Sequence, residues 1–158
     1  MIIAKVNDLS YKIGNKKLLE DISWEINQGE KWLLWGLNGS GKTTLLSIMA
    51  GLLPIAEGKI ELFGEKLTKD NRQKLCQKVG FVSESFLGKY YHHETADDVI
   101  LGAYSGGLGI NEELTDEQII RAKALIRQFW LKKISRKPFN LLSKGERQKV
   151  LLVRALLN

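Results

Sequence analysis

Polar and apolar residues alternate along two stretches near the start of the chain, residues 2–10 and 17–27. In the second stretch Ile22, Trp24 and Ile26 alternate with polar neighbours, which is typical of a strand with one solvated face. Residues 13–16 between the stretches predict a turn. We therefore predict two paired, antiparallel strands.

Shorter apolar runs follow, bounded by glycine or charged residues. Residues 31–35 and 79–82 predict buried strands, and residues 58–64 predict a further short strand. Residues 44–50 predict a helix that ends at Gly51, and residues 68–76 suit another short helix.

The pattern becomes helical from about residue 86 to residue 140. Thr95 with Asp98 predicts a capped helix over residues 96–103, and Thr115 with Gln118 forms the capping-box pattern of the next helix. An apolar stripe is predicted on that second helix at Ile119, Ala122, Ile126, Phe129 and Trp130. A flexible loop is predicted at the glycines in between, Gly102, Gly106, Gly107 and Gly109.

A glycine-rich segment lies between the apolar run 31–35 and the helix 44–50, and its spacing of glycines, lysine and threonine is that of a phosphate-binding loop. Its glycines permit positive φ, so that several backbone amides converge on one anion. Lys42 supplies a positive charge for the outer phosphates, and the Thr43 hydroxyl is placed to ligate Mg²⁺. The candidate nucleotide-binding residues are Gly36, Asn38, Gly39, Ser40, Gly41, Lys42, Thr43 and Thr44.

A second candidate anion site occurs at residues 142–149. Ser143 with Glu146 forms a capping box, and an apolar periodicity continues the predicted helix after it. The exposed helix start, with an unhindered amide at Gly145 and the Ser143 hydroxyl, is suited to an anion.

Composition narrows the classes of function. The 158 residues are 44% hydrophobic with a net charge of +6, and no apolar run reaches the ~18 residues that span a bilayer. Cys76 is the single cysteine, which suits a reducing cytoplasm. The basic clusters at residues 12–17 and 132–137 lack interleaved aromatic residues, so we do not expect a nucleic-acid partner. Adjacent histidines, His92 and His93, point apart and make a poor zinc site.

The order of these segments resembles the ATP-binding cassette (ABC) ATPases over essentially the whole chain. Residues 36–44 match the family's Walker A loop and residues 142–146 its signature motif, and Tyr11 occupies the position of an aromatic ring that stacks on adenine. The resemblance implies an α/β fold, a P-loop NTPase core of ABC type with N-terminal antiparallel strands. It also implies a helical subdomain at about 86–140 within one partial domain, residues 1–158.

The family resemblance implies Mg-ATP as cofactor and a head-to-tail dimer with a second ABC domain. In such a dimer, the residues expected to contact the nucleotide bound by the partner are Ser143, Lys144, Gly145 and Glu146. A transmembrane permease is an implied partner, with the chain itself cytoplasmic or peripheral to the inner face of the membrane and not inserted in it. Trp24, Trp32 and the Leu-Ser-Lys-Gly-Glu variant are instead similar to soluble bacterial cassettes without such a partner.

The sequence departs from the family pattern at three places. Glu84 stands where the family has a glutamine that senses Mg²⁺ and the attacking water, and Lys144 replaces a glycine of the signature. The chain stops at Asn158, before the Walker B carboxylates and the switch histidine. We expect a fragment of a longer cassette with an incomplete sheet.

Three hypotheses on activity stay open. The chain is an ABC-type ATPase coupled to transport or another mechanical task, or a nucleotide-binding module that does not hydrolyse ATP. A third reading is a P-loop NTPase that acts on nucleic acid.

Overall fold

A computed structural model of the protein describes residues 1–91, 93–105 and 113–158. The chain divides into two compact units, residues 1–75 and 76–158. Within the described ranges, no helix is both long enough and apolar enough to cross a membrane. His92 and the predicted loop glycines Gly106, Gly107 and Gly109 lie outside these ranges.

The first unit contains a four-stranded antiparallel sheet in the order β2-β1-β3-β4. Its strands are β1 (Ile2–Ile13), β2 (Lys16–Asn27), β3 (Glu57–Leu62) and β4 (Glu65–Lys66). The predicted strands at 2–10 and 17–27 and the turn between them are confirmed, as is the strand within 58–64. In β2 the apolar positions Ile22, Trp24 and Ile26 are half-buried and the residues between them are exposed, as the alternation predicts.

Two aspartates bend the long hairpin of β1 and β2 at matching places. Asp8 and Asp21 both have φ near +49°, a left-handed conformation that Asp tolerates better than most residues. The Asp8 amide donates to the Ser23 hydroxyl at 3.0 Å, and the Asp21 amide donates to the Ser10 hydroxyl at 3.0 Å. Each serine then donates to the carboxylate of its aspartate at 3.2 Å, so that both bends are held by the opposite strand.

Helix α1 (Lys42–Met49) agrees with the helix predicted at 44–50 and begins two residues earlier. It ends as predicted at Gly51, whose φ is +69°. The Gly51 amide donates to Ile48 O at 2.9 Å and the Leu52 amide to Ser47 O at 2.8 Å, which is the Schellman pattern of a helix C-terminus.

The prediction of buried strands at 31–35 and 79–82 is wrong. Both stretches are irregular, and Leu33 and Trp35 are 85% and 91% exposed. A strand requires a neighbour that exchanges backbone hydrogen bonds with it, and among the described residues neither stretch has one. Trp32 is nevertheless fixed, because its ring packs edge-on against Trp24 with the centroids 5.3 Å apart.

The remaining regular structure is helical. The α-helices are α2 (Arg72–Cys76), α3 (Glu84–Leu87), α4 (Ala96–Leu101), α5 (Asp116–Gln128) and α6 (Lys144–Leu156), and two 3₁₀ helices span Gly102–Ser105 and Phe139–Leu141. In the second unit α6 packs against α4 and α3. The N-cap predicted at Thr95 and the capping boxes predicted at Thr115 and Ser143 are confirmed, and Thr95 with Asp98 also forms a capping box.

Two details of the helical predictions are wrong. Gly102, predicted in a flexible loop, is buried at the start of a 3₁₀ helix. Trp130, predicted in the apolar stripe of α5, lies beyond the end of that helix with φ +57° and is 85% exposed. Because the left-handed turn breaks the helical period, its side chain leaves the stripe, whereas Ala122 and Ile126 are buried as predicted.

Candidate functional site

Residues 36–41 form an exposed turn that leads directly into α1. The Ser40 amide donates to Leu37 O at 3.2 Å, which closes the turn. Gly39 and Gly41 have φ of +83° and +90°, values that side-chain-bearing residues rarely adopt. The glycine spacing seen in the sequence is therefore required by the backbone at two positions.

Gly41 also has no room for a side chain. A Cβ atom there would lie 2.7 Å from Leu18 O and 2.8 Å from Leu19 Cδ2. At Gly39, by contrast, an added Cβ would meet no atom within 4 Å. Gly41 thus sets the start of α1 against strand β2.

The N-terminus of α1 lacks the usual partners of a helix start. Gly41 provides no side-chain cap, and the first turn carries no acidic residue. The first intrahelical bond is that from the Leu45 amide to Gly41 O at 2.8 Å. The amides of Lys42, Thr43 and Thr44 precede it and have no hydrogen-bond acceptor among the described residues. Together with the helix dipole, these N–H groups favour an anion.

The Lys42 ammonium group is folded over the turn. Its Nζ donates to Gly36 O at 2.8 Å, to Leu37 O at 2.7 Å and more weakly to Ser40 Oγ at 3.3 Å. All three acceptors are neutral, whereas phosphate oxygens accept stronger, charge-assisted hydrogen bonds. A phosphate at the helix start would thus compete well for this ammonium group.

Two further predicted residues lie close to this turn in sequence or in space. The Thr43 side chain is exposed in the first turn of α1, where its hydroxyl is open to a metal ion bound with phosphates. Tyr11 is half-buried in β1 and pairs across the sheet with Leu19, the residue against which Gly41 packs. Leu19 is therefore a shared neighbour of the predicted adenine platform and the predicted phosphate loop.

The second candidate anion site begins α6. The Ser143 amide and hydroxyl donate to Glu146 Oε2 at 2.8 and 2.7 Å, and the Glu146 amide donates back to Ser143 Oγ at 3.3 Å. The bonds from the Ser143 hydroxyl and amide hold the pKa of Glu146 below its ordinary value. Ser143, Lys144 and Gly145 are exposed, and a Cβ atom on Gly145 would meet nothing within 4 Å.

Glu84 is engaged in an ion pair that the sequence does not indicate. Its Oε1 lies 2.9 Å from Nη2 of Arg147, and the two side chains are only 23% and 28% exposed. The segment before Glu84 is also bonded to the chain just after α6, because Asn158 Nδ2 donates to Val79 O at 2.8 Å. The negative charge of Glu84 is thereby balanced within its own unit.

The predicted site residues fall into two groups. Residues 36–44 and Tyr11 belong to the unit 1–75, and Glu84 and residues 143–146 belong to the unit 76–158. Arg147, which forms the ion pair with Glu84, was not predicted from the sequence, because nothing in the local pattern of α6 indicates that pairing.

Comparison with known proteins places the chain in a family. The ABC transporter family model matches residues 19–158, and the chain belongs to this family. An uncharacterized ABC transporter ATP-binding protein of Bacillus subtilis, YlmA, is 30% identical over 99% of this chain and 60% of its own length. The chain therefore spans about three fifths of that relative.

Solved structures agree with this assignment. The dimeric bacterial ABC transporter cassette MJ0796 superposes with a TM-score of 0.74 at 27% identity, over 99% of this chain and 70% of that one. Clostridium perfringens cbiO1, described as part of the ABC transporter complex cbiONQ, superposes with a TM-score of 0.67 at 25% identity. The match covers 99% of this chain and 61% of cbiO1. The predicted family and its P-loop cassette fold are confirmed.

Proposed function

We propose that this chain binds Mg-ATP at residues 36–44 as the ATP-binding part of an ABC-type protein. In this proposal it is cytoplasmic, pairs head to tail with a second cassette, and couples ATP binding and hydrolysis to transport through a permease or to another mechanical task. The observation that carries the proposal is the start of α1. Three amides without an acceptor among the described residues lie there beside an exposed turn, to which the Lys42 ammonium group is hydrogen-bonded.

The residues of the turn suit the polyphosphate of a nucleotide. On binding, the ammonium group of Lys42 exchanges its carbonyl acceptors for phosphate oxygens, and the amides of residues 42–44 complete the shell. Thr43 contributes a hydroxyl ligand for Mg²⁺, which when bound neutralises part of the phosphate charge. Tyr11 stacks on the base, and the Leu19 contact keeps it close to Gly41.

The test of nucleotide binding is calorimetric titration with Mg-ATP. Lys42→Ala removes a charged donor and should weaken binding by about tenfold to a hundredfold. Lys31→Ala is the matched control, because Lys31 is exposed in the same unit and has no ion pair in the described part of the chain. Equal affinity of the two variants would contradict the proposed site.

The signature segment is proposed to act on the nucleotide of the second cassette. The described fold gives no steric reason for glycine at residue 145, since a side chain there would meet open space. A close approach by a partner's phosphates explains it. The dimeric state of the related MJ0796 cassette and the membership of cbiO1 in a transporter complex support such partners.

Gly145→Ala distinguishes a role of this glycine in the fold of the chain from a role in contacting the second cassette. In the free chain it should leave stability unchanged or raise it by about 0.5–1 kcal/mol, because alanine is the better helix former. It should also reduce ATP-dependent dimerisation, measured by light scattering. A variant that dimerises normally would remove the signature segment from the interface.

A nucleotide-binding module without turnover is the second candidate. The Glu84–Arg147 ion pair favours it, because Glu84 is occupied at the position where the family places its sensor of Mg²⁺ and water. Phosphate release from Mg-ATP separates the candidates, with Lys42→Ala as the background. Release above that background would establish an ATPase, and binding without release would establish the module.

A further inference from the structure

A separate cavity of about 260 Å³ lies in the unit 1–75, between the segment that follows α1 and the β3–β4 hairpin with the loop after it. The apolar residues of its lining, here called the apolar wall, are Leu53, Pro54, Ile55 and Leu67. The residues of the predicted nucleotide site, 36–44 and Tyr11, do not line it. The cavity is therefore distinct from the site proposed for ATP.

The basic residues of the lining, here called the basic wall, are Lys59, Lys66, Lys69 and Arg72. Among the described residues, no acidic side chain lines this cavity. Elsewhere in the same unit lysines pair with glutamates; these pairs are Lys5–Glu25, Lys12–Glu57, Lys17–Glu20 and Lys74–Glu65. No such ion pair is made by the three lysines of the cavity within the described residues. Carboxylates lie nearby, because Glu61 is opposite Lys66 across the β3–β4 hairpin and also lines a neighbouring cavity with Lys59 and Asp8. The cavity lining itself nevertheless carries an excess of positive charge, which favours a bound anion.

Hydrogen bonds hold the Arg72 side chain and the backbone of the loop at residues 66–71 in place before any ligand arrives. The guanidinium Nε of Arg72 donates to Gly51 O. The two outer nitrogens of the guanidinium group are then available to donate to a ligand. Asn71 Nδ2 donates to Lys66 O at 2.8 Å, and the Thr68 amide donates to Asn71 Oδ1 at 2.8 Å. Because this loop is already ordered, a ligand does not have to supply the cost of ordering it.

We propose that this cavity binds a small organic phosphate, with the phosphate group at the basic wall and an apolar substituent against Leu53, Pro54 and Ile55. The planar fork of Arg72 and the flanking lysines are suited to a phosphate. The volume lies just below the ~300–1,000 Å³ of sites for drug-sized ligands, so the ligand is smaller than a nucleoside triphosphate. A soluble phosphate ester and the headgroup of an anionic lipid share this chemistry.

The probe is phenyl phosphate, titrated into the ¹⁵N-labelled full chain and followed by amide chemical shifts. We expect saturable shifts at residues 53–55 and 66–72 with a dissociation constant of about 1 mM or lower. Inorganic phosphate should bind about fivefold more weakly, because it leaves the apolar wall uncovered. Lys42→Ala should not change this binding, which separates it from the nucleotide site.

Charge reversal tests the basic wall. Lys66→Glu with Lys69→Glu should weaken binding about tenfold or more, whereas Lys16→Glu with Lys132→Glu, which changes the net charge equally at exposed places, should weaken it less than about twofold. Lys59 is kept, because it also lines a neighbouring cavity with Asp8 and Glu61. Unchanged amide spectra away from the cavity verify that the variants are folded.

Vesicles that contain phosphatidic acid distinguish the source of the phosphate. If they bind with the same dependence on Lys66 and Lys69 as phenyl phosphate does, the ligand is a lipid headgroup; if they do not bind, it is a soluble ester. The proposal is overturned if phenyl phosphate gives no saturable shifts, if both double variants lose binding equally, or if Lys42→Ala abolishes it. Vesicle binding without phenyl phosphate binding overturns it as well.

Discussion

The contrast between Gly41 and Gly39 gives the sharpest test of how the phosphate-binding turn is built. Both residues have a left-handed φ, but only Gly41 is enclosed, since a methyl group there would lie 2.7 Å from the Leu18 carbonyl oxygen and 2.8 Å from the Leu19 side chain. Alanine at either position incurs the backbone strain, whereas alanine at Gly41 also incurs a steric clash. The two substitutions therefore differ in one physical term.

The size of each term follows from the geometry. Left-handed backbone costs alanine roughly 1–2 kcal/mol, and overpacking against fixed neighbours adds about 1–3 kcal/mol. Gly39→Ala should thus reduce the free energy of unfolding by roughly 1–2 kcal/mol, and Gly41→Ala by roughly 2–5 kcal/mol. The larger loss is a substantial part of a typical domain's total of about 5–15 kcal/mol.

Urea denaturation of the two variants and the wild type measures these losses, provided that the slopes with denaturant agree. Mg-ATP affinity, measured in the same samples, should fall further for Gly41→Ala, because moving the start of α1 also moves the amides of its first turn. If Gly41→Ala were no less stable than Gly39→Ala, the packing of Gly41 against β2 would not determine the position of the turn.

Three other predictions concern the second unit. Ser143→Ala and Thr115→Ala each remove a capping box, and each should lower the free energy of unfolding by about 1 kcal/mol in urea denaturation. Only Ser143→Ala should weaken ATP-dependent dimerisation. Equal effects of the two variants on dimerisation would contradict the proposed interface. Glu84→Gln combined with Arg147→Gln in a double-mutant cycle should give a coupling energy of about 1 kcal/mol, because the pair is partly buried; a coupling of zero would dismiss the ion pair. Burial raises the pKa of Asp97, so its ionisation lowers stability as the pH rises above about 4. Asp97→Asn should therefore be more stable than the wild type near pH 7, and this advantage should disappear in acid.

The sequence predicts those features whose cause is local. The hairpin of β1 and β2 follows from an alternation within each strand, and the capping boxes at Thr95, Thr115 and Ser143 follow from residues three apart. The turn at residues 36–41 follows from glycines whose conformations few other residues adopt. In each case the determining atoms are close together in the chain.

Features that depend on distant partners could not be predicted. Residues 31–35 have the composition of a buried strand, but a strand forms only beside another strand, and composition does not say whether one is present. The Glu84–Arg147 ion pair and the contact of Arg72 with Gly51 join residues far apart in the chain. In each case the local sequence around one residue does not indicate its partner.

The contact of Trp24 with Trp32 gives this protein an intrinsic optical probe. Trp32 belongs to the segment that leads into the phosphate-binding turn, and Trp24 belongs to the β1–β2 hairpin. The contact between their rings therefore reports on the position of that segment relative to the hairpin. Closely spaced indoles produce a near-ultraviolet dichroism signal that exposed, isolated ones lack. Any ligand that displaces the entry to the turn should therefore alter that spectrum, with no label attached to the chain.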